Sequence, residues 1–174
     1  MAPKSSLADK LSMLGLKAAA SLVVNKTKEE THIPIEKIVQ GKFIQSRFGE
    51  TFISEQVFTS EYNHGNISIR CKTPIPVIGT WTREPCFNRL RIEEYAFFDT
   101  ETSGLAGGTG TYAFLIGIGR FSNDEFHLAQ FFMRDPAEES ALLEAAAEFL
   151  APCKALVSFN GKAFDAPLLS TRYK

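Results

Sequence analysis

Apolar residues form three strand-like runs between residues 94 and 135, and polar segments separate them. The runs are EYAFFDTE (94–101), YAFLIGIGRF (112–121) and FHLAQFFMRD (126–135). Each run is apolar enough to predict a buried strand. The segment SNDE (122–125) consists of turn-forming residues, so the second and third strands are predicted to pair as an antiparallel hairpin.

Residues 135–153 then have the 3.6-residue period of an amphipathic helix. Its apolar face consists of Leu142, Ala146, Phe149 and Leu150. Asp135 is predicted to cap the helix, Pro136 takes the first helical position, and Glu138 has the spacing of a capping box. Pro152 is expected to end the helix.

ALVSFNG (155–161) predicts a fourth strand, and DAPLLSTRYK (165–174) predicts the start of a second helix. A strand that follows a crossover helix usually runs parallel to a neighbour in the same sheet. Three strands, a helix, a strand and a helix form an order that is typical of an α/β domain. Such a domain normally continues, so we expect this one to be incomplete at its C-terminal end.

The first 93 residues have other patterns. SSLADKLSMLGLKAAASLVV (5–24) has the period of an amphipathic helix, followed by a polar linker. The apolar face of this helix consists of Leu7, Leu11, Leu14, Ala18 and Leu22. We expect it to pack on its own domain or on a protein partner. The chain is therefore predicted to comprise a helix and linker (1–30), a β-rich extension (31–93) and a partial α/β domain (94–174).

The predicted extension consists of short strands separated by turns. GETFISEQVF (49–58) and NISIRC (66–71) alternate well enough between apolar and polar residues to predict strands. The turns are predicted at glycine and proline residues, namely Gly49, Gly65, Gly79, Pro74, Pro76 and Pro85.

The composition narrows the class of protein without identifying a function. Hydrophobic residues make up 44% and charged residues 22% of the chain, as in ordinary globular domains. The formal net charge of −1 provides no overall basic field to attract nucleic acid. Over residues 99–174, however, 10 acidic residues stand against 6 basic ones, which suits either a metal site or a solvated surface.

Cysteine usage and hydropathy indicate the compartment. Cys71, Cys86 and Cys153 are odd in number and far apart, which argues against a zinc knuckle or a disulfide framework. No apolar run reaches the roughly 18 residues that a membrane span needs. We therefore expect a cytoplasmic protein without a membrane segment.

Two carboxylates occupy alternate positions at the end of the first α/β strand. Asp99 and Glu101 are two residues apart, so on a strand their side chains point to the same face. Like charges this close repel, and a divalent cation such as Mg²⁺ or Mn²⁺ would neutralise them. The alternative is that Asp99 and Thr100 begin an ordinary turn and Glu101 faces solvent. Spacing alone does not decide between the two.

A third carboxylate follows the fourth strand. If that strand runs parallel to the first, Asp165 comes near the strand end that carries Asp99, where open α/β sheets bind ligands. Asp165 also precedes Pro167 by two residues, which favours a helix N-cap, and it could serve both purposes. Asn160 and Lys162 lie in the same loop, where each could contact a phosphate or form a turn.

A glycine-rich loop follows the strand that carries Asp99. Its glycines are Gly104, Gly107, Gly108 and Gly110. They fit neither a P-loop nor a GxGxxG pattern, which argues against nucleotide binding through these motifs. Glycine permits close approach, so backbone amides near Thr102 to Leu105 could meet a substrate terminus. A flexible hairpin connection explains the glycines equally well.

Four sequence blocks extend these observations: FFDTETSGL, YAFLIGIGRF, QFFMRDPAEESALL and LVSFNGKAFDAPLL. In this order they closely resemble the YprB-like branch of the ribonuclease H-like superfamily, which is similar to the DEDD 3′–5′ exonucleases. The resemblance covers residues 94–174 and extends more weakly to FISEQVFTSEYNHG (52–65). It implies a ribonuclease H-like mixed sheet and a nuclease that hydrolyses phosphodiester bonds of DNA or RNA.

The resemblance also implies roles for individual residues. Asp99 and Glu101 match the first acidic motif and Asp165 matches the second, as catalytic ligands of two Mg²⁺ or Mn²⁺ ions. The residues expected to position the terminal nucleotide are Thr102, Leu105 and Asn160. The family's third motif, an Asp preceded by a Tyr or His as general base, would lie beyond the last residue of this chain.

Two alternatives to an active exonuclease remain open at this point. One is a ribonuclease H-like domain that binds nucleic acid without catalysis, and the other is a domain that binds a protein partner. Because the third acidic motif is missing, the 174-residue chain by itself is expected to be a poor enzyme.

Overall fold

The structure is a computed structural model of the chain, and it describes residues 33–70, 75–104 and 110–173. The predicted N-terminal helix, its linker and Leu105 lie outside the described residues. The described residues belong to one compact unit, Ile33–Lys174. Within them, no helix has both the length and the apolar character needed to cross a bilayer.

The secondary structure of the described ranges contains eight strands and three α-helices. The strands are β1 (Lys42–Ser46), β2 (Gly49–Phe58), β3 (Asn63–His64), β4 (Ile67–Ser68), β5 (Tyr95–Thr102), β6 (Ala113–Ser122), β7 (Glu125–Phe132) and β8 (Ala155–Val157). The α-helices are α1 (Pro76–Thr82), α2 (Glu139–Leu150) and α3 (Asp165–Arg172). Short 3₁₀ helices cover Ile35–Lys37, Pro85–Arg89, Ile92–Glu94 and Pro136–Glu138.

Six strands form one mixed sheet in the order β1-β2-β7-β6-β5-β8. All neighbours are antiparallel except β5 and β8, which run parallel, with Phe97 opposite Val157. The predicted hairpin between β6 and β7 is confirmed. Its turn residues Asn123 and Asp124 have φ of 51° and 61°, the left-handed values that a tight two-residue hairpin requires. The α/β fold class predicted from the sequence is therefore confirmed.

The core lies between one face of this sheet and helix α2. Because side chains alternate along each strand, every second residue of β5, β6 and β7 points to this face. Its largest buried members are Ile53, Phe98, Ile116, Ile118, Phe131 and Leu142. The apolar period of residues 135–153 thus places Leu142 and Ala146 in the core as predicted.

The other face of the sheet carries two different groups along β5. Near the start of the strand, Phe97 packs edge-on against Phe121 and Phe126. Further along the same face, Asp99 and Glu101 are exposed to solvent. The face opposite α2 is therefore apolar at one end of β5 and acidic at the other.

Part of the prediction for residues 31–93 is wrong. Pro76 and Pro85 begin helices rather than turns, because the fixed φ of proline suits the first helical position. Gly79 lies inside α1, where the Asn88 side chain packs against it and leaves no room for a Cβ. Gly49 and Gly65, by contrast, have positive φ and lie at turns as predicted.

Of the two strands predicted in the same region, one is confirmed over its full length and the other is much shorter than predicted. β2 spans Gly49–Phe58, the same residues as the predicted strand GETFISEQVF. Within the segment 66–71, the described residues 66–70 contribute only the two-residue β4, which pairs with β3 apart from the main sheet. β1 and β2 join the main sheet beside β7, so the predicted extension supplies two strands of the sheet that carries Asp99. The boundary near residue 93 stays a prediction.

The start of α2 and the length of β8 also differ from expectation. Asp135 accepts a hydrogen bond from the Ala137 amide, which confirms it as a cap, but a 3₁₀ turn precedes the α-helix. Glu138 accepts a hydrogen bond from the amide of Arg134 rather than that of Asp135, so the predicted capping box is wrong. β8 ends at Val157, four residues before the predicted end of the fourth strand, since the chain turns at Ser158–Gly161.

Candidate functional site

The acidic pair lies at the carboxyl end of β5. Asp99 stands opposite Gly117 and Glu101 stands opposite Leu115 in the antiparallel ladder with β6. The alternation of exposure along β5 puts both carboxylates on the same face, away from α2. The register shifts immediately after Glu101, so the pair lies where regular pairing is interrupted.

Asp165 is the first residue of α3, and its carboxylate reaches β5. The Thr100 hydroxyl donates a hydrogen bond to Asp165 Oδ1. β8 runs parallel to β5 and pairs with it only as far as Phe97, so the chain that leaves β8 passes the unpaired edge of β5 at Thr100. This is the convergence of strand ends that the sequence predicted, and it brings Asp165 to the residue between Asp99 and Glu101.

The contact falls on the opposite side of β5 from the acidic pair. Thr100 alternates with Asp99 and Glu101, so its side chain points toward the face that carries α2. Asp165 is half-buried there, whereas the other two carboxylates are exposed. The three carboxylates thus meet at one end of one strand but approach it from two sides.

The loop before α3 fixes the position of Asp165. Asn160 has a φ of 63°, in the left-handed region, and its carbonyl accepts a hydrogen bond of 3.1 Å from the Ala163 amide. The carbonyl of Gly161 accepts one of 2.8 Å from the Ala166 amide. A Cβ at Gly161 would run into Ser158 and would lie 2.8 Å from Asp165 Oδ2. The glycine therefore permits the close approach that holds the carboxylate.

The prediction that Asp165 caps α3 is wrong. Phe164 occupies the N-cap position, without a side-chain capping bond, and Asp165 is the first helical residue. Its carboxylate is turned toward Thr100 instead of the helix amides. The helix itself is anchored by Leu168 and Leu169, which pack against the core. At its end the Tyr173 hydroxyl donates a 2.5 Å hydrogen bond to the Leu143 carbonyl, and burial raises the pKa of Tyr173.

The donor chemistry of this strand end fits a hard divalent cation. Carboxylate oxygens are the ligands that Mg²⁺ and Mn²⁺ prefer, and two of them lie exposed on one face. In the described ranges, however, no three Asp, Glu, His or Cys side chains stand close enough together to hold an ion. Asp99 and Glu101 therefore fit a cation as a pair, and Asp165 approaches the same strand end through its hydrogen bond with Thr100.

The residues predicted to contact substrate differ in their hydrogen bonds and in their exposure. The Thr102 hydroxyl donates a 2.8 Å hydrogen bond to the Gly104 carbonyl, so it also stabilises the loop that follows β5. Asn160 is exposed and forms the turn described above. Lys162 is exposed in the same loop, and Leu105 lies outside the described residues.

Sequence reasoning missed Thr100 and Gly161. Thr100 was considered only as the start of a turn, yet its position inside an alternating Asp-Thr-Glu motif could have suggested a contact on the second face. The packing of Gly161 against Asp165 depends on tertiary structure, so the sequence carries no signal for it.

Comparison with known proteins agrees with this fold. Residues 96–174 match the RNase_H superfamily. The chain is also 38% identical over 104 residues to the uncharacterized protein YprB of Bacillus subtilis (strain 168). That match covers 56% of this chain and 24% of the relative, so the chain spans only a minor part of the protein it resembles. The resemblance seen in the sequence is confirmed: residues 96–174 are similar to the RNase_H superfamily, and the chain is similar to YprB over part of its length.

Proposed function

We propose that the protein is a divalent-metal-dependent nuclease that hydrolyses phosphodiester bonds of nucleic acid as a 3′–5′ exonuclease. Similarity of residues 96–174 to the RNase_H superfamily supports nuclease activity in general. The observation that carries the proposal is the hydrogen bond between Thr100 and Asp165. It joins the second acidic residue to the middle of the first acidic motif, although the two are 65 positions apart in the chain.

The proposed site uses Asp99, Glu101 and Asp165 as ligands of two Mg²⁺ or Mn²⁺ ions, with Asp99 bridging them. When bound, such ions lower the pKa of water and stabilise the attacking and leaving oxygens of the phosphodiester. Asp99 and Glu101 supply negative charge on the open face of the sheet, where a phosphate group can approach. Asp165 supplies the third carboxylate from the edge of β5, oriented by Thr100.

The substrate is proposed to bind around the same strand end. Its terminal nucleotide would lie against the backbone near Thr102 and Leu105, with Asn160 on the far side of Asp165. Nucleic acid is the proposed partner, and the cytoplasm is the proposed location. The choice between DNA and RNA depends on contacts to the 2′-hydroxyl.

Release of nucleotides by the full-length protein tests this proposal. Asp99→Asn is expected to abolish Mn²⁺-dependent release from a labelled oligonucleotide, because the bridging carboxylate is lost. Asp124→Asn is the matched control, since Asp124 lies in the β6–β7 turn with a φ of 61°, which asparagine also adopts. Unchanged release by Asp99→Asn would end the proposal.

One observation favours a second candidate, a ribonuclease H-like domain that binds nucleic acid without cleaving it. Among the described side chains, three potential ligands are not gathered at one point. This candidate predicts that the full-length protein binds an oligonucleotide with the same affinity in Mn²⁺ and in EDTA, and releases no nucleotide in either. Release of nucleotides that depends on Mn²⁺ would contradict this candidate and support the nuclease.

A further inference from the structure

Gly117 lies directly across the ladder from Asp99, and neither its backbone nor its packing requires a glycine. Partners in an antiparallel ladder point to the same face, so a side chain at position 117 would stand beside the Asp99 carboxylate. The described glycines with positive φ are Gly49, Gly65 and Gly110, and Gly117 is not among them. Among the described atoms, a Cβ at Gly117 would meet only the Asp99 carbonyl oxygen, at 3.8 Å.

Gly119 provides the contrast within the same strand. It lies two residues further along the same face of β6, under the ring of Phe126, and a Cβ there would run into that ring. Packing therefore explains Gly119 but not Gly117. Glycine inside a strand weakens the strand, and one that packing does not require often marks a close approach by another molecule.

The row of residues across the sheet at this level is polar. Gly117 pairs on its other side with Gln130 of β7, and Gln130 pairs in turn with Ser54 of β2. Asp99 is exposed and Gln130 is partly exposed, so Gly117 forms the floor between two longer polar side chains. The next side chain toward the start of β6 on this face is Leu115, which bounds the floor on the side of Glu101.

We propose that Gly117 keeps open the space in which the terminal nucleotide of the nucleic acid lies beside Asp99. This inference rests on the proposed function and adds a residue that controls substrate access. The nucleotide would contact the bare backbone of β6, and the Gln130 amide could donate a hydrogen bond to it from the far side. A valine at position 117 would occupy this space and would neither add nor remove a proposed metal ligand, so it would block substrate and leave the set of ligands intact.

Three measurements on the full-length protein with Gly117→Val test the inference. Mn²⁺ affinity by isothermal titration is expected to stay within about twofold of wild type, because the altered group is not a ligand. The Tm is expected to hold or to rise by about 2–4 °C, since valine favours strands. Mn²⁺-dependent nucleotide release is expected to fall by up to about 10²-fold, a cost that displacing a substrate by about 1 Å can reach.

Gly119→Val is the matched structural control, because it forces a side chain into the Phe126 ring and is expected to lower the Tm. Gly117→Ala, with a single added carbon, is expected to lower release less than Gly117→Val does. Wild-type release by Gly117→Val would overturn the inference, and so would a fall in Tm as large as that of Gly119→Val. Failure of the wild-type protein to bind Mn²⁺ would instead remove the proposed function, and the inference with it.

Discussion

At the scale of single residues, Thr100 connects the two acidic motifs. It lies between Asp99 and Glu101 in sequence, and its hydroxyl donates to Asp165. The β-branched side chain of threonine suits a strand, and its hydroxyl supplies a donor that valine lacks. Contacts that orient a metal-binding carboxylate tune the affinity of the site for its ion. We therefore regard Thr100 as a positioning residue for Asp165.

Thr100→Val tests this role, because valine has nearly the same shape and removes only the hydrogen bond. We expect the affinity for Mn²⁺, measured by isothermal titration, to fall about 10–100-fold. Thr100→Ser retains the hydroxyl and is expected to bind Mn²⁺ as the wild type does. If Thr100→Val also binds as the wild type does, Thr100 has no part in orienting the ligand.

The sequence predicted which acidic residues come together at this strand end, but not the contact that Thr100 makes there. The period of two along β5 was enough to place Asp99 and Glu101 on one face, and the parallel rule was enough to bring Asp165 to the same strand end. The contact with Thr100 could not be predicted, because it depends on the left-handed Asn160 and the packing of Gly161 against the carboxylate. Local propensity favoured a capping role for Asp165, and the tertiary contact overrode it.

At the scale of elements, Arg134 joins the 3₁₀ helix that precedes α2 to the strands β1 and β2. Its guanidinium forms hydrogen bonds with Glu138 and, at 3.0 Å, with Glu50, and it lies 4.5 Å from the centre of the Phe43 ring. The side chain is 23% exposed, so solvent screens these contacts only in part. The hydrogen bonds to Glu138 and Glu50 raise the pKa of Arg134 further above its ordinary value, although burial alone would lower it.

Replacing this guanidinium measures how firmly the elements are joined. We expect Arg134→Leu to lower the free energy of unfolding by about 2 kcal/mol, since hydrogen bonds to charged groups contribute about 1.5–3 kcal/mol. Urea denaturation checks the value. Lys42→Leu is the control, because the ion pair of Lys42 with Glu55 is largely exposed and is expected to contribute less than about 1 kcal/mol. Equal losses for the two variants would contradict the role given to Arg134.

Elements were predictable where one physical signal dominated. β2 was predicted over its full length because alternation and the turn at Gly49 agree. Helix α1 is not predictable from this pattern because proline and glycine are typical turn residues, whereas here Pro76 starts the helix and Gly79 packs against Asn88. The predicted capping box at α2 is wrong because a 3₁₀ turn precedes the helix. Glu138 lies in this turn and accepts a hydrogen bond from the Arg134 amide.

At the scale of the whole molecule, the strands before residue 60 complete the sheet that carries the acidic pair. Thr51, Phe52 and Ile53 of β2 are almost fully buried, at 1%, 1% and 2% exposure. β2 pairs with β7 over seven residue positions, from Phe52–Phe132 to Phe58–Phe126. Without β1 and β2, the edge of β7 would be unpaired and part of the core would face water.

A chain that begins at residue 94 is therefore predicted not to fold by itself. We expect residues 33–174 to unfold in a single cooperative transition on heating, followed by circular dichroism, and residues 94–174 to give no such transition. The reason is the lost burial of β2 against β7 and α2. A cooperative transition of residues 94–174 at the same temperature would instead support an independent domain with its boundary near residue 93.

The central claim is that Asp99, Glu101 and Asp165 share divalent ions at the end of β5. Isothermal titration of Mn²⁺ into the wild type, Asp99→Asn, Asp165→Asn and the double variant tests it most directly. We predict that each single substitution lowers the affinity about tenfold or more, and that the double variant loses less than the two effects combined, because ligands of one site are not independent. Wild-type Mn²⁺ affinity in Asp165→Asn would contradict the claim.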